Sequence, residues 1–503
     1  MTASPANFTD TIFEHARKHP KAIAVEDMTG RLTYKQFTDL IGRAGVWLKS
    51  LGVEPGQPVG VRLSNSTDHL ILSLALMRVG AAKIEFSLAD ADGRLDAAIR
   101  QLGVTRLFVE PPARAIGDVE CVSIGPGWRK GLSSHKGDVR NAGADPAPMD
   151  ILLSSGSTGL AKGVPCTHDL ILRRLSDWNP TYLKAGMTAD DYSGTFLHVS
   201  SMSFTGFLVP LQARLMTGGK VVIFPEFAKL LDFVRAVREH DDAILIVTAG
   251  MCQDLLSCAP AEGLLFPKMR CMVSTGTPLP AGLKRRALAS LTPHFTEIYG
   301  NSGAGVVSAL FPEDIARHAD SVGRVIPGLD AEIVDDDGRP VEPGQPGLLR
   351  CRGSGVAESL VAPDGRPGAE GIRDGWYYPG DLASIDAEGY LRLLGRSSDV
   401  VMRAGVRVFP TVMEMTLMSH PDVAEAAVVS VAQGESVHVA AAIQPRDGKD
   451  GTALHQYCID TLGSEQSPDS IMFMASLPRT GGGKVDRSKV RERAALALAR
   501  SGR

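Results

Sequence analysis

The densest group of phosphate-binding residue types stands between residues 154 and 163. An apolar segment, residues 149–153, runs into ten residues that hold four hydroxyls, three glycines, one lysine and no acid. Glycines let backbone N–H groups turn toward an anion, and hydroxyls and an ammonium complete a phosphate cradle. A glycine follows Lys162, so this is not the loop of P-loop NTPases; a flexible surface loop is the alternative. The predicted cradle residues are Ser154, Ser155, Gly156, Ser157, Thr158, Gly159 and Lys162.

Three further residues suit the chemistry of a nucleotide. Lys484 follows three consecutive glycines, so its loop can close over a site and bring an ammonium to developing phosphate charge. Asp381 follows a glycine after an aromatic segment and could accept both ribose hydroxyls, although a lone Asp there could equally cap a turn. Tyr299 offers a flat face for adenine, whereas a single tyrosine more often packs in a core.

These motifs follow one another in the order of one enzyme family. Residues 154–163 resemble the Ser/Thr/Gly-rich signature of the adenylate-forming superfamily, which includes acyl- and aryl-CoA synthetases, adenylation domains and firefly luciferase. Five later segments resemble other elements of that superfamily, so the resemblance covers nearly the whole chain. These segments are residues 273–279, 298–303, 376–381, 395–414 and 478–485.

The resemblance implies a role for each segment. Asp381 would hold the ribose, Arg396 would reach the ribose or phosphate, and Lys484 would serve mainly adenylation. Asp399 would be the hinge about which a small domain swings to open a thiol tunnel at Ala404 and Gly405, where Ala404 replaces a family glycine. The resemblance also implies a reaction in two steps. A carboxylate first attacks the α-phosphate of ATP to give acyl-AMP, and a thiol then attacks the acyl carbonyl. The other implied nucleotide-binding residues are Gly276, Thr277, Pro278, Tyr299, Gly300, Asn301 and Ser302.

The chain departs from the family at residue 303. The family element is Tyr-Gly-x-Thr-Glu, and here Ser302 and Gly303 replace the threonine and the glutamate. The resemblance implies that this glutamate helps to hold Mg²⁺, which uses only one or two carboxylates in such sites. The next acids downstream are Glu313 and Asp314. We therefore expect no certain metal ligand and an impaired or lost adenylation step, although the retained Lys484 argues for that step.

The acyl side has an apolar composition. Relatives that activate amino acids carry an Asp in the segment equivalent to residues 201–207, and this chain has no acid there, so an α-amino acid is not expected. His198 matches the family's gating aromatic and is a catalytic candidate; a core histidine is the alternative. No carrier-protein segment follows Lys484, so we expect free CoA as the thiol. The predicted acyl pocket is His198, Met202, Phe204 and Phe207.

Alternating strand-like and helix-like segments must position these residues. This alternation predicts a mostly parallel α/β sheet covered on both faces. From about residue 330, short strands with turns between them predict a barrel-like subdomain. The polar stretch 395–399 is a predicted hinge between an N-terminal AMP-binding region, residues 1–394, and a small mobile α+β domain, residues 400–503. The predicted strands include residues 23–27, 58–64, 220–225, 243–249 and 270–275, the predicted helices 32–52 and 68–81, and residues 117–148 are predicted as a surface loop or strand connection.

Composition excludes several functional classes. A chain of 503 residues is longer than a single hydrophobic core usually accommodates. Its 44% hydrophobic and 22% charged residues are typical of a globular protein. A formal net charge of −4 does not suggest a positively charged surface that would bind nucleic acid. No apolar run suits a signal peptide or a membrane span, so we expect a cytoplasmic protein. No G-x-S-x-G segment supports a serine hydrolase.

The sequence therefore predicts an acid–thiol ligase of the acyl-CoA synthetase type. We expect it to form an acyl-CoA thioester from a non-amino carboxylic acid through acyl-AMP, and chiefly from a supplied adenylate, which calls for a separate adenylating enzyme. Mg²⁺ is needed only if adenylation is retained. The alternatives are a complete ATP-dependent acid–CoA ligase and a non-catalytic protein that binds ATP or acyl-AMP. If adenylation is lost, Gly303→Glu is expected to restore some ATP dependence.

Overall fold

The structure is a computed structural model. It describes residues 7–88, 92–112, 116–140, 147–154, 162–187, 194–225, 229–361, 367–368, 371–403, 406–433, 436–446, 453–479 and 485–501.

Helices and strands alternate through the first 325 residues. The strands are β1 (Ile23–Asp27), β2 (Gly30–Thr33), β3 (Pro58–Arg62), β4 (Ala82–Glu85), β5 (Arg106–Val109), β6 (Glu120–Ser123), β7 (Asp150–Ser154), β8 (Lys162–Cys166), β9 (Thr195–His198), β10 (Lys220–Ile223), β11 (Ala243–Val247), β12 (Cys271–Ser274), β13 (Phe295–Asn301), β14 (Gly305–Leu310) and β15 (Arg324–Val325). The helices are α1 (Asp10–Lys18), α2 (Tyr34–Ser50), α3 (Thr67–Val79), α4 (Asp92–Gln101), α5 (Trp128–Gly131), α6 (His168–Lys184), α7 (Thr205–Met216), α8 (Leu230–Arg238), α9 (Ala249–Ser257), α10 (Ala281–Ser290) and α11 (Pro312–His318).

The remaining elements are shorter. The strands are β16 (Leu329–Val334), β17 (Gly347–Gly353), β18 (Leu360–Val361), β19 (Pro367–Gly368), β20 (Ile372–Arg373), β21 (Trp376–Tyr377), β22 (Asp381–Ile385), β23 (Leu391–Arg396), β24 (Val401–Arg403), β25 (Val406–Val408), β26 (Val423–Gln433), β27 (Ser436–Pro445) and β28 (Ser470–Phe473). The helices are α12 (Pro410–Ser419), α13 (Leu454–Leu462) and α14 (Arg487–Ser501).

Two large sheets form the α/β region. One has the order β15-β14-β13-β12-β11-β9-β10-β1-β2, and the other has the order β19-β18-β8-β7-β4-β3-β5-β6. In the first sheet, β9 to β13 and β1 pair in parallel. Their near-continuous apolar runs are buried because helices cover both faces. The carboxyl ends of β9, β12 and β13 therefore meet at one edge of this sheet, where parallel α/β folds place their ligands.

An antiparallel unit follows from residue 329. Its order is β20-β21-β17-β22-β23, with β16 paired to β17. The first residue of β22, Asp381, lies opposite the last residue of β23, Arg396. Antiparallel pairing thus brings two charged residues of the candidate site side by side although they are far apart in sequence.

The last hundred residues have buried clusters of their own. One cluster joins residues between Val401 and Cys458, and the other joins residues between Ala427 and Ala494. The α/β class with a large sheet region and a small C-terminal unit of strands and helices is confirmed, whereas the exact boundaries at 394 and 400 stay predictions. Within residues 117–148, part of which is described, the structure has β6 and α5 rather than only a loop. Short, half-exposed elements such as these lack the periodicity that sequence patterns detect.

Candidate functional site

The loop after β12 forms one wall of the candidate site. The Leu279 N–H donates to a Glu297 carboxylate oxygen at 2.7 Å, and the buried Lys284 ammonium lies 2.5 Å from the other oxygen. The Leu279 hydrogen bond ties the loop to β13, where Glu297 lies, and the ion pair ties α10 to the same strand. Gly276 has φ +94°, which a side chain would strain, and both Gly276 and Thr277 are exposed. The loop therefore presents its backbone, including Pro278, at the carboxyl edge of the sheet.

Tyr299, Asp381 and Arg396 form a hydrogen-bonded group beside this loop. The Tyr299 hydroxyl donates to one Asp381 oxygen at 2.5 Å, and Arg396 Nε lies 3.2 Å from the other. Burial and the neighbouring carboxylate raise the pKa of Tyr299 well above its ordinary value, so the phenol stays protonated. Arg396 also donates to the Pro379 carbonyl at 2.7 Å. The structure thus brings together three residues that the sequence assigned to the nucleoside.

The hairpin turn between β13 and β14 carries residue 303. Gly300 and Asn301 pair with residues of β14, and the Asn301 side chain accepts from the Ala304 N–H at 2.8 Å. Gly303 is buried, and a Cβ built on it would overlap the ring of Tyr377, lying 2.6 Å from both Cε1 and Oη. The space beside this backbone position is therefore occupied by an aromatic ring.

A buried arginine holds the same turn from the other side. Arg174 on α6 is 1% exposed, and its guanidinium donates to the carbonyls of Ser302 at 3.0 Å and Gly303 at 2.6 Å. It also donates to the Gly355 carbonyl at 2.7 Å. The Gly303 carbonyl accepts a further bond from the Ala357 N–H at 2.8 Å. These bonds fix the backbone of the turn, so the position of residue 303 is well defined.

The carboxylates nearest in sequence to residue 303 are engaged elsewhere. Glu313 pairs with Lys184 at 2.8 Å, and Asp314 accepts from the Tyr390 hydroxyl at 2.8 Å. Asp381 is held by Tyr299 and Arg396 as described above. Within the ranges that the structure describes, no cluster of three His, Cys, Asp or Glu residues could hold a metal ion. Residue 303 itself therefore offers Mg²⁺ no ligand side chain.

Aromatic and aliphatic side chains line the predicted acyl side. Phe204 lies over the loop that follows β12, with its Cζ 3.0 Å from a Cβ built on Gly276. Phe207 packs 5.3 Å from Phe204, and His198 meets Phe207 edge-on at 6.5 Å. His198 and Met202 are fully buried, and burial, with a contribution from His69, lowers the pKa of His198 to about 3. The imidazole is therefore neutral, and its gating role stays a prediction.

Several predicted residues fall outside the described part of the chain. These are Ser155, Gly156, Ser157, Thr158, Gly159, Ala404, Gly405 and Lys484. For Ser154 and Lys162 only the backbone is described, and the two residues pair across β7 and β8 at the base of the predicted cradle. Arg479 and Val485, which flank the predicted lysine loop, form a β-bridge. Asp399 lies in a short 3₁₀ turn between β23 and β24.

Comparison with known families decides the identity of the fold. A profile of the family described as "AMP-binding enzyme" matches residues 12–360, well over half of the chain. The chain belongs to the AMP-binding enzyme family. A second profile, "AMP-binding enzyme C-terminal domain", matches residues 412–484. The resemblance to the adenylate-forming superfamily and the prediction of an enzyme are thereby confirmed.

Several relatives of this AMP-binding enzyme are distant in sequence but match over nearly their full length. The indoleacetate–CoA ligase of Aromatoleum aromaticum is 27% identical over 96% of this chain and 97% of its own. The fatty acid–[acyl-carrier-protein] ligase ScoC of Streptomyces coeruleorubidus is 27% identical over 95% of both. ATP-bound MatB from Rhodopseudomonas palustris, at 23% identity, superposes with a TM-score of 0.85 over 97% of this chain and 98% of its own, which shows a shared fold.

No helix in the described ranges is both long and apolar enough to cross a membrane.

Sequence reasoning missed Arg174, Tyr377 and the Glu297–Lys284 pair. Arg174 stands four residues from both Leu170 and Trp178, so it lies on the buried face of α6. A charged residue on an apolar helical stripe is a signal that the sequence offered. Tyr377 stood within a recognised motif, but its contact with Gly303 joins residues far apart in sequence.

Proposed function

We propose that this AMP-binding enzyme is an acid–thiol ligase that forms an acyl-CoA thioester, chiefly from a supplied acyl-adenylate. The CoA sulfur attacks the acyl carbonyl carbon, a C–S bond forms, the bond to the phosphate oxygen breaks and AMP leaves. The thiol proton passes to solvent. The adenylation half-reaction, which precedes this step in the family, is weak or lost in this chain.

One observation carries the proposal. At Gly303, where the family resemblance implies a metal-binding glutamate, the chain has no side chain and Tyr377 fills the adjoining space. The acids that follow in sequence, Glu313 and Asp314, are committed to other partners. Attack on ATP needs the phosphate charge to be neutralised, whereas attack of a thiol on a finished mixed anhydride does not.

The acyl group is proposed to be a bulky apolar acid without an α-ammonium. Segment 201–207 has no carboxylate that could pair with such an ammonium. Phe204 lies next to the loop that follows β12, and Phe207 packs against Phe204. A relative is named for indoleacetate, an aromatic acid. Free CoA is the proposed thiol, and a carrier-protein thiol, as in the name of ScoC, is the variant to test beside it.

Two other functions keep a specific observation in their favour. The sequence retains Lys484, which the resemblance links to adenylation, and this favours a complete ATP-dependent ligase. The loss of a carboxylate at residue 303 favours a non-catalytic protein that binds ATP or acyl-AMP. Neither function explains as directly why the group of Tyr299, Asp381 and Arg396 is intact while residue 303 has no side chain.

Two parallel assays on the full chain separate these functions. One contains a bulky apolar acid, MgATP and CoA, and the other contains the synthetic adenylate of the same acid and CoA. We expect acyl-CoA only from the adenylate. Formation of acyl-CoA at similar rates in both assays would contradict the loss of adenylation. If no acyl-CoA forms from the adenylate of any bulky apolar acid tested, the result would favour the binding protein.

Lys484→Ala is an internal control for the same assay. If the lysine serves only adenylation, this variant keeps its rate with the adenylate within about twofold of the unsubstituted enzyme. A loss of about a hundredfold with the adenylate would instead place Lys484 in the thioester step.

A further inference from the structure

A buried group of charged side chains lies at the joint between two halves of the second large sheet. In the described ranges, β4 and β7 share one register pair, Lys83 with Asp150, whereas β3 and β4 share four pairs and β7 and β8 share five. The sheet order places β3, β5 and β6 on one side of this joint and β8, β18 and β19 on the other. The pairing of Lys83 with Asp150 therefore joins the two halves, and β7 leads from it into the predicted phosphate cradle at residues 154–163.

The Lys83 ammonium strengthens this joint with two ion pairs. Its Nζ lies 3.2 Å from Asp150 Oδ2 and 3.2 Å from Glu85 Oε1, and all three side chains are buried. The Lys83 N–H also donates to the Met149 carbonyl at 3.2 Å. Buried carboxylates are costly unless a cation or hydrogen-bond donors compensate them. Lys83 is therefore the cation that both carboxylates share.

Asp150 depends on Lys83 more than Glu85 does. Glu85 also pairs with His69 at 2.8 Å and accepts from the Ser73 hydroxyl at 2.6 Å, and both of these residues lie on α3. By contrast, Oδ1 of Asp150 meets no hydrogen-bond donor among the residues that the structure describes. Removal of the Lys83 ammonium would therefore leave Asp150 as the uncompensated buried charge.

The pKa of Asp150 reflects this balance of charges. Burial raises this pKa to about 6, Lys83 acts to lower it and Glu85 acts to raise it. The other neighbours lie on β8 and α6. They are the Cys166 thiol, whose pKa burial raises to about 11, and the Arg174 guanidinium, 3.7 Å from the Cys166 sulfur. Asp150 is therefore ionised at pH 8 and takes up a proton as the pH falls below 6.

We propose that Lys83 is a positioning residue that, by compensating the Asp150 charge, holds β7 against β4 and so places the phosphate cradle. The inference rests on the proposed function and on the predicted cradle, which would bind the adenylate phosphate. Asp150 is the first residue of β7 and Ser154 is the last, so the cradle begins about 13 Å from the ion pair. A shift of β7 away from an uncompensated charge would reach the phosphate-binding residues along this one strand.

A double-mutant cycle tests the positioning role. The four proteins are the unsubstituted enzyme, Lys83→Met, Asp150→Asn and the double variant, all as the full chain. Calorimetry measures the Kd of AMP at pH 8 and at pH 5.5, and thermal unfolding is recorded for each protein. Each Kd is divided by that of the unsubstituted enzyme at the same pH, which cancels the titration of AMP itself. Arg106→Met is the matched control, because it removes the ion pair with Glu120 at the far edge of the same sheet.

We expect Lys83→Met to weaken AMP binding by about tenfold at pH 8 and by less than about threefold at pH 5.5. The reason is that loss of the ammonium raises the pKa of Asp150, and the protonated acid needs no cation. In the Asp150→Asn background, Lys83→Met should change the Kd by less than about twofold, and Arg106→Met should do the same in the unsubstituted enzyme.

Three results would overturn the inference. The first is a Lys83→Met protein that unfolds at a lower temperature but binds AMP with an unchanged Kd at both pH values, because the lysine would then be merely structural. The second is a loss of affinity that is equal at the two pH values or equal in Arg106→Met. If Lys83→Met does not fold, the double variant is compared with Asp150→Asn. The third result is a tenfold difference in Kd between those two proteins, because Lys83 would then not act through Asp150.

The two claims fail separately. An enzyme that binds AMP and shows the expected cycle, yet forms no thioester from any adenylate, would contradict the proposed function alone. An enzyme that forms the thioester, yet binds AMP equally well with and without Lys83 at pH 8, would contradict the inference alone.

Discussion

The two sides of the candidate nucleotide site differ in the side chains that they present. On the nucleoside side, Tyr299, Asp381 and Arg396 come from three strands and form one connected group. On the metal side, the turn at Gly303 has no side chain, and Tyr377 fills the space. The first side contains the Asp381–Arg396 ion pair, and the second is held by hydrogen bonds from Arg174. Under the proposed function, binding of a nucleoside and neutralisation of a triphosphate rest on separate elements, so that one can be lost without the other.

Removing the Asp381 carboxylate should have the largest effect, because it breaks the nucleoside side. Asp381→Asn keeps the shape but loses the charge paired with Arg396 and the proposed contact to the ribose hydroxyls. We expect kcat/KM for a synthetic adenylate to fall by about a thousandfold, which corresponds to ~4 kcal/mol. Steady-state kinetics with the adenylate and CoA measure it.

Tyr299→Phe is the control for this prediction. It removes only the hydroxyl that donates to Asp381, so we expect a loss of about tenfold or less. An Asp381→Asn enzyme with unchanged kcat/KM would remove Asp381 from the nucleoside side.

Removing the Arg174 guanidinium that holds the turn at Gly303 should act mainly on the stability of the fold. Arg174→Met leaves the carbonyls of Ser302, Gly303 and Gly355 without their buried donor, and we expect a loss of about 3 kcal/mol in the free energy of unfolding. Urea unfolding followed by tryptophan fluorescence reports it, since Trp178 lies one turn along the same helix. The neighbouring Arg173, half-exposed and paired with Asp169, is the matched control.

Arg173→Met should cost less than about 1 kcal/mol, because exposed ion pairs contribute little. Equal effects of the two substitutions would show that Arg174 does not hold the turn.

The buried His198 on the predicted acyl side makes the stability of the fold depend on pH. The pKa of His198 falls from 6.5 to about 3 on folding, mainly through burial. Below pH 6.5 the unfolded chain binds a proton that the folded chain does not, so this group's contribution to stability is present above pH 6.5 and is lost as the pH falls toward 3. The slope is at most about 1.4 kcal/mol per pH unit.

His198→Phe should therefore flatten the fall in stability between pH 6.5 and pH 4 by about that slope. Urea unfolding at several pH values measures the change, and the variant should fit among Phe196 and Phe207. An unchanged slope would mean that His198 is not neutral and buried as described.

The sequence predicted the elements with strong periodicity. The predicted strands at 23–27, 220–225, 243–249 and 270–275 contain β1, β10, β11 and β12, because buried parallel strands are continuous apolar runs. The sequence also named Tyr299, Asp381 and Arg396 as candidates, since each lies in a recognised motif, and their role toward a nucleoside stays a prediction. Their meeting was not derivable from local patterns, because it depends on the pairing of β22 with β23.

The metal side shows what sequence patterns could not reveal. The missing glutamate was visible in the sequence, but the ring beside residue 303 belongs to Tyr377, which stands 74 positions later and meets Gly303 only through tertiary packing. Arg174 contacts the same turn from a helix 129 residues earlier in the chain. Contacts of this range follow from the packing of two sheets rather than from the local periodicity of either.

Isotope exchange between ATP and labelled pyrophosphate is the sharpest test of the proposed loss of adenylation, because it isolates the first half-reaction and needs no thiol. The assay uses the full chain, Mg²⁺ and an acid whose synthetic adenylate the same preparation converts to acyl-CoA. We expect exchange at the level of the enzyme-free blank. Exchange as fast as thioester formation would contradict it and establish a complete ATP-dependent ligase.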